Sequence, residues 1–209
     1  MFQNDLVVLT ADPTTTDVTR ILLTERCRSL GIRVPKTHFE THPLRDNGVV
    51  NGADTFLQRH CRIYRYALVI CDLHGCGMHR TREEVEAHLE NRLTANGWDG
   101  RCAAVVIDPE LEIWFWQRAP LVAEALGWTE GIDDLWKWMA DQGYRPPGAA
   151  KPKEAKSCFR EALRVKRTQR SRTIFTRVAA KVTLTGCTDP AFRKFTDALT
   201  TWFSPKQES

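Results

Sequence analysis

Three short apolar runs, each ending near an acid, constrain this chain more than any other feature. They are DLVVLTA (5–11), YALVIC (66–71) and RCAAVVI (101–107). Each is too short to cross a bilayer and too continuously apolar for a strand with one wet face. Between them lie segments with helical spacing. In the first, Val18, Ile21, Leu22 and Leu30 recur after a cap at Thr14, Thr15 or Thr16, and Gly31 stops it. In the second, Val85, Leu89 and Leu93 share a face and Gly97 closes it. IRVPKTHFE reads as a weaker strand, and Pro35 places it at an edge. A polar loop carrying Asn47-Gly48 and Asn51-Gly52 comes next, then a short helix over ADTFLQRHCRIYR. Strand and helix in alternation predict an α/β fold: a parallel sheet with helices on both faces.

The 209 residues suffice for one domain with a full core, and 42% hydrophobic with 27% charged residues excludes a disordered chain. Seven scattered cysteines, an odd number, point to small buried hydrophobes in a reducing compartment rather than a disulfide framework. The start MFQNDLVVLT has no basic region before its apolar run, so no secretory signal is expected. A cytoplasmic protein with no membrane partner is the expectation.

Ligands of parallel sheets sit beyond the carboxyl ends of the strands. Here those ends carry Asp12, Asp72 and then Asp108, Glu110 and Glu112. Carboxylates converging from several strands suit magnesium, although an aspartate after a strand also serves as a plain helix cap. The run DLHGCGMH adds His74, Cys76 and His79 among glycines, ligand types that suit zinc. Its spacing matches no strong zinc signature, and a glycine-rich turn with water-facing histidines is the simpler alternative.

Past residue 108 the chain changes character. Trp114, Phe115, Trp116, Trp128, Trp136 and Trp138 crowd a short window, and helical spacing favours core over a base-stacking platform. A Pro/Gly/Lys connection leads into a basic helix over KEAKSCFREALRVKRTQRSRTIFTRVAAKV. Lys151, Lys153, Lys156, Arg160, Arg164, Lys166, Arg167, Arg170, Arg172, Arg177 and Lys181 face only Glu154 and Glu161 within this stretch. Such a cluster can track phosphates, lie on an acidic protein partner, or form a solvated face. The total charge of +4 is too small to decide. A last amphipathic helix, capped near Thr188 or Asp189, buries Ala191, Phe192, Phe195, Leu199 and Trp202.

The order of these features resembles small bacterial Toprim-like proteins, which carry the topoisomerase–primase fold and include members linked to phage defence. The resemblance rests on VVIDPELEIWFW, KPKEA and PAFRKFTDAL, and it extends to components of methylation-associated defence systems. It implies a Toprim-like core over 1–110 and a helical C-terminal half, 111–209, packed on it as one globular unit. It implies Glu110 and Glu112 as catalytic acids and Asp72 as a metal ligand. The family has a glutamate after its first strand where this chain has Thr10-Ala11-Asp12, and Asp-x-Asp where this chain has Asp72-Leu73-His74. With His74 as a ligand, the site is either degenerate or prefers zinc or manganese to magnesium.

Two functional classes follow. One is an accessory component of an antiviral system, with a degenerate site, acting through other defence proteins or through DNA or RNA. The other is a metal-dependent phosphodiesterase or nuclease. In either, Lys151, Lys153, Arg160, Arg164, Arg167 and Arg170 are the candidate nucleic-acid contacts. Without a metal, Lys151 or Lys153 is expected to neutralise the acids.

Overall fold

The computed structural model describes residues 2–183 and 187–205. Its strands are β1 (Asn4–Thr10), β2 (Thr37–Thr41), β3 (Tyr64–Asp72) and β4 (Cys102–Ile107). Its helices are α1 (Pro13–Glu25), α2 (Arg45–Gln58), α3 (Arg82–Leu93), α4 (Glu112–Phe115), α5 (Pro120–Ala125), α6 (Ile132–Asp141), α7 (Ala155–Val165), α8 (Arg172–Lys181) and α9 (Pro190–Phe203). The chain divides into two compact units, Met1–Asp108 with Leu184–Ser209, and Pro109–Thr183. The second unit is therefore an insertion between β4 and α9.

In the first unit the strands form one parallel sheet in the order β2-β1-β3-β4. Parallel pairing follows from the helical crossovers between successive strands. Val7 and Leu9 of β1, Ala67, Val69 and Cys71 of β3, and Ala104 and Val106 of β4 pack in one cluster with α2 and α3. Of the opposite parity, Phe39 of β2 carries the Arg20 guanidinium of α1 on its ring, and Tyr66 of β3 stacks on Trp202 of α9 at 4.7 Å. Val85, Leu89 and Leu93 are buried on α3, which opens with a Thr81–Glu84 capping box. Gly97, at φ 93°, ends the wide turn that follows it.

The two sheet edges differ. β2 is one edge, as Pro35 predicts. At the other, Glu86 of α3 accepts the Val106 N–H (3.1 Å) and Glu90 the Ala104 N–H (2.9 Å). Lys194 of α9 pairs with both carboxylates, at 3.2 and 2.7 Å. Backbone donors that would template another strand are thereby occupied.

Several readings of the sequence need correction. The first helix is capped by Asp12 rather than by a threonine. The segment with Asn47-Gly48 and Asn51-Gly52 is not a loop but the first half of α2, which ends at Gln58, and Tyr64-Arg65 is already strand. Gly48 is a packing choice: a Cβ there would stand 2.2 Å from the buried His42 ring. In the last helix, Asp189, one of the two expected caps, accepts the Phe192 N–H, but Trp202 is only half-buried and Phe203 is the fully buried residue.

The inserted unit is helical. The basic segment read as one helix is two, α7 and α8, because Arg167 at φ 52° breaks the run and the Thr168 hydroxyl turns to the Leu126 carbonyl. Trp114, Phe115, Trp116, Trp128 and Trp136 are buried, and Trp138 is half-buried against Trp128. Trp116 Nε1 donates to the Ala155 carbonyl (2.9 Å) and Trp128 Nε1 to that of Ala162 (3.4 Å). Those bonds satisfy the indole donors inside an apolar core, so these aromatics are structural.

Candidate functional site

The chain leaves β1 towards β2 on one side and continues through β3 and β4 on the other. The carboxyl ends of β1 and β3 therefore form the switch point of the sheet, where a ligand crevice is expected. Local hydrogen bonds fill the β1 side. The Thr16 hydroxyl meets those of Thr10 (2.5 Å) and Thr41 (2.7 Å). Asp12 Oδ1 accepts the N–H groups of Thr14 (2.7 Å) and Thr15 (3.3 Å), and Oδ2 accepts the Thr15 hydroxyl (2.5 Å). Asp12 is thus a helix cap, the plain alternative for that position.

On the β3 side, the Asp72 N–H donates to Asp46 Oδ1 at 2.8 Å. Asp46, at the start of α2, also lies over the glycine loop: a Cβ on Gly75 would be 2.3 Å from its Oδ2. Asn47 Nδ2 donates to the Cys76 carbonyl (3.3 Å), so two neighbours on α2 hold the loop. Sequence reasoning missed both, because it placed them in a loop. Burial pushes the Cys71 thiol well up, with the Asp46 and Asp72 charges adding to the rise. Cys76 is wholly buried and receives the Met78 N–H at its sulfur (3.4 Å), while His74 and His79 are exposed. Asp72, His74, Cys76 and His79 are not brought together as a ligand group. His74 and His79 instead border a cavity of about 580 Å³ with Arg80 and Glu84.

Asp72 belongs to the first unit, and Glu110 and Glu112 to the second. Within that second unit each glutamate already has a cation. Lys156 of α7 donates to Glu110 Oε2, and Arg170 Nη2 stands 3.1 Å from Oε1 of the buried Glu112. Burial pushes the Glu112 carboxyl above its ordinary range. Its own backbone N–H, Lys156 and Arg170 oppose the rise, and Glu110 adds to it. Lys151 Nζ donates to the Ile113 carbonyl at 2.7 Å, and Lys153 is exposed. Two glutamates that each face a cation of their own unit do not offer magnesium free carboxylates.

The basic segment is less unopposed than its sequence implies, since acids from elsewhere in the unit also face it. Lys166 pairs with Glu130 and Arg177 with Glu124, while Arg164 pairs with Glu161 of the segment itself. Lys153, Arg160 and Arg167 are exposed and have no carboxylate partner among the described residues.

A different group could hold a metal ion. One ligand atom each from His38, Glu40 and His60 lies within 4.8 Å of the others. His38 and Glu40 are two apart on β2 and so share a face, and His60 lies just past α2. No signal short of the fold joins them.

Among the described residues, no helix is long and apolar enough to cross a membrane. No protein-family model matches the chain, and no curated protein or solved structure is significantly similar to it.

Proposed function

We propose that this chain is an accessory, non-catalytic component of an antiviral defence system, built on a Toprim-like sheet with helices on both faces whose metal site is degenerate. It works in the cytoplasm by binding partner proteins of that system or nucleic acid. One observation carries the reading: the acids that would do the chemistry are already engaged. Asp12 caps α1, Glu110 is held by Lys156, and Glu112 is buried against Arg170. A general base needs a free lone pair beside its substrate, and a magnesium site needs carboxylates facing an ion rather than a cation from the same unit. Lys153, Arg160 and Arg167 then supply an electrostatic contact surface.

Phage plating on a host carrying the complete defence operon tests this. The doubly substituted Glu110→Gln, Glu112→Gln chain should protect as well as wild type. The charge reversal Lys153→Glu, Arg160→Glu, Arg167→Glu should abolish protection without changing the melting temperature. If the glutamine pair loses protection while still folded, and the wild-type chain cleaves DNA or RNA with magnesium or manganese, the nuclease reading replaces this one. A low-salt shift assay separates the two binding modes. Retention of DNA that falls with rising salt, at about 0.9 in slope per phosphate contacted, marks a nucleic-acid surface.

A further inference from the structure

The outer edge of the sheet carries a second chemistry-bearing group, unrelated to the strand ends. His38 and Glu40 pair in register with Val7 and Leu9, so their side chains lie on the face covered by α2. His60 is fixed in the turn after α2, its N–H on the Leu57 carbonyl (2.9 Å) and its own carbonyl accepting from Tyr64 (3.0 Å). Tyr64 stacks on the His38 ring (5.8 Å) and meets the His60 ring edge-on (5.4 Å), which orients both imidazoles.

Both imidazoles turn Nε2 towards one carboxylate oxygen. Glu40 Oε1 is 3.0 Å from His38 Nε2 and 3.2 Å from His60 Nε2. Two ligands bound at about 2.0–2.1 Å to a tetrahedral ion stand about 3.3 Å apart, so these two separations are compatible with a shared metal, and the third pair lies within 4.8 Å. The protein's own hydrogen bonding leaves a conflict. Arg59 Nε donates to His60 Nε2 at 3.1 Å, which requires a lone pair there. The contact of the same nitrogen with Glu40 requires a proton instead. A cation between His60 and Glu40 that displaces Arg59 removes the conflict, because the single Nε2 lone pair and the Glu40 oxygen then both face the ion.

We propose that His38 Nε2, Glu40 Oε1 and His60 Nε2 form a three-ligand site for a zinc-class divalent ion, with the fourth coordination position facing solvent. Two neutral nitrogens and one carboxylate select a borderline transition ion over magnesium or calcium. The entrance is open: the His38 side chain is 44% exposed, and that of His60 only 12%. Arg59 Nη2 holds Glu40 Oε1 at 3.0 Å and acts as the competing cation. That side chain is 60% exposed, so it can swing into water when the ion enters. The bound ion ties the edge strand β2 to the end of α2 and leaves one position for water or a partner's ligand. This site does not depend on the accessory reading above.

The test uses the full chain, reduced and stripped with a chelator, titrated with cobalt(II) and then zinc. One cobalt should bind per chain, with ligand-field bands, no thiolate charge-transfer band, and displacement by zinc. His38→Ala and Glu40→Gln should each weaken binding by more than about 100-fold, beyond the 10–100-fold typical of losing an outer partner. His79→Ala should bind as wild type. Arg59→Met should bind equally or more tightly, since it removes the competitor. A thiolate band would move the ion to cysteine and overturn the proposal. So would no cobalt binding, a His38→Ala and Glu40→Gln pair that both bind like wild type, or weaker binding by Arg59→Met.

Discussion

Glu112 shows at the scale of one residue how burial and pairing compete. Its side chain is nearly enclosed, and burial raises its folded pKa against Lys156 and Arg170. The native state therefore binds that proton more tightly than the unfolded chain does. The contribution to stability is full below the ordinary carboxylate range and is lost as pH rises through the raised value. Glu112→Gln removes that loss. Arg170 keeps about half its surface in water, so stranding it costs little. The variant should melt at or above the wild-type temperature at neutral pH, and its stability should fall less between acid and neutral pH. A calorimetric drop of more than about 2 °C, on the order of 1 kcal/mol, would mean that the ion pair is net stabilising. Acids at strand ends were visible in the sequence, but their partners were not. Lys156 and Arg170 lie 46 and 58 positions from their glutamates, and only the helical packing brings them together.

At the scale of one element, α2 explains why pattern alone misplaced a helix. Asn-Gly pairs signal turns because glycine has no Cβ and tolerates unusual backbone angles. Here the missing Cβ serves packing instead. His42 sits over the helix with Nδ1 accepting the Leu44 N–H (3.1 Å), and Gly48 is where its ring comes closest. The two glycines should then respond oppositely to alanine. At Gly48 the new methyl would meet the His42 ring at 2.2 Å and Leu44 Cβ at 2.6 Å. That clash outweighs the roughly 1 kcal/mol gain in helix propensity, and the variant should lose about 1–3 kcal/mol in urea denaturation. At Gly52 the nearest atom is His42 Nε2 at 3.7 Å, an ordinary contact, so alanine should stabilise by up to about 1 kcal/mol. Equal effects at the two positions would dismiss the packing explanation. α3 was legible to its buried face and closing glycine because its spacing and cap agree with its surroundings. The break between α7 and α8 was not, since it turns on one arginine at positive φ.

For the molecule as a whole, the strong strands and their parallel pairing were readable, because continuous apolar runs leave few alternatives to a covered parallel sheet. The grouping of the C-terminal helix with the sheet was not, because α9 follows the whole inserted unit in sequence. Its packing makes a definite prediction. Phe192, Phe195, Leu199 and Phe203 are all buried on it. Fully burying such side chains is worth about 1.5–3 kcal/mol each, or roughly 6–12 kcal/mol together. The total stability of a domain is only about 5–15 kcal/mol. Removing α9 also strips Lys194 from Glu86 and Glu90, which leaves the carboxylates at the β4 edge without that cation. A chain ending at Thr188 should therefore lose cooperative unfolding of the sheet unit and aggregate, although all four strands remain. Phe203→Ala in the full chain should cost about 3–5 kcal/mol by the same contacts and still fold. The check is denaturant unfolding of both chains, with far-UV circular dichroism and light scattering. A truncated chain that stayed monomeric and melted within a few degrees of the full one would show that the sheet does not depend on α9.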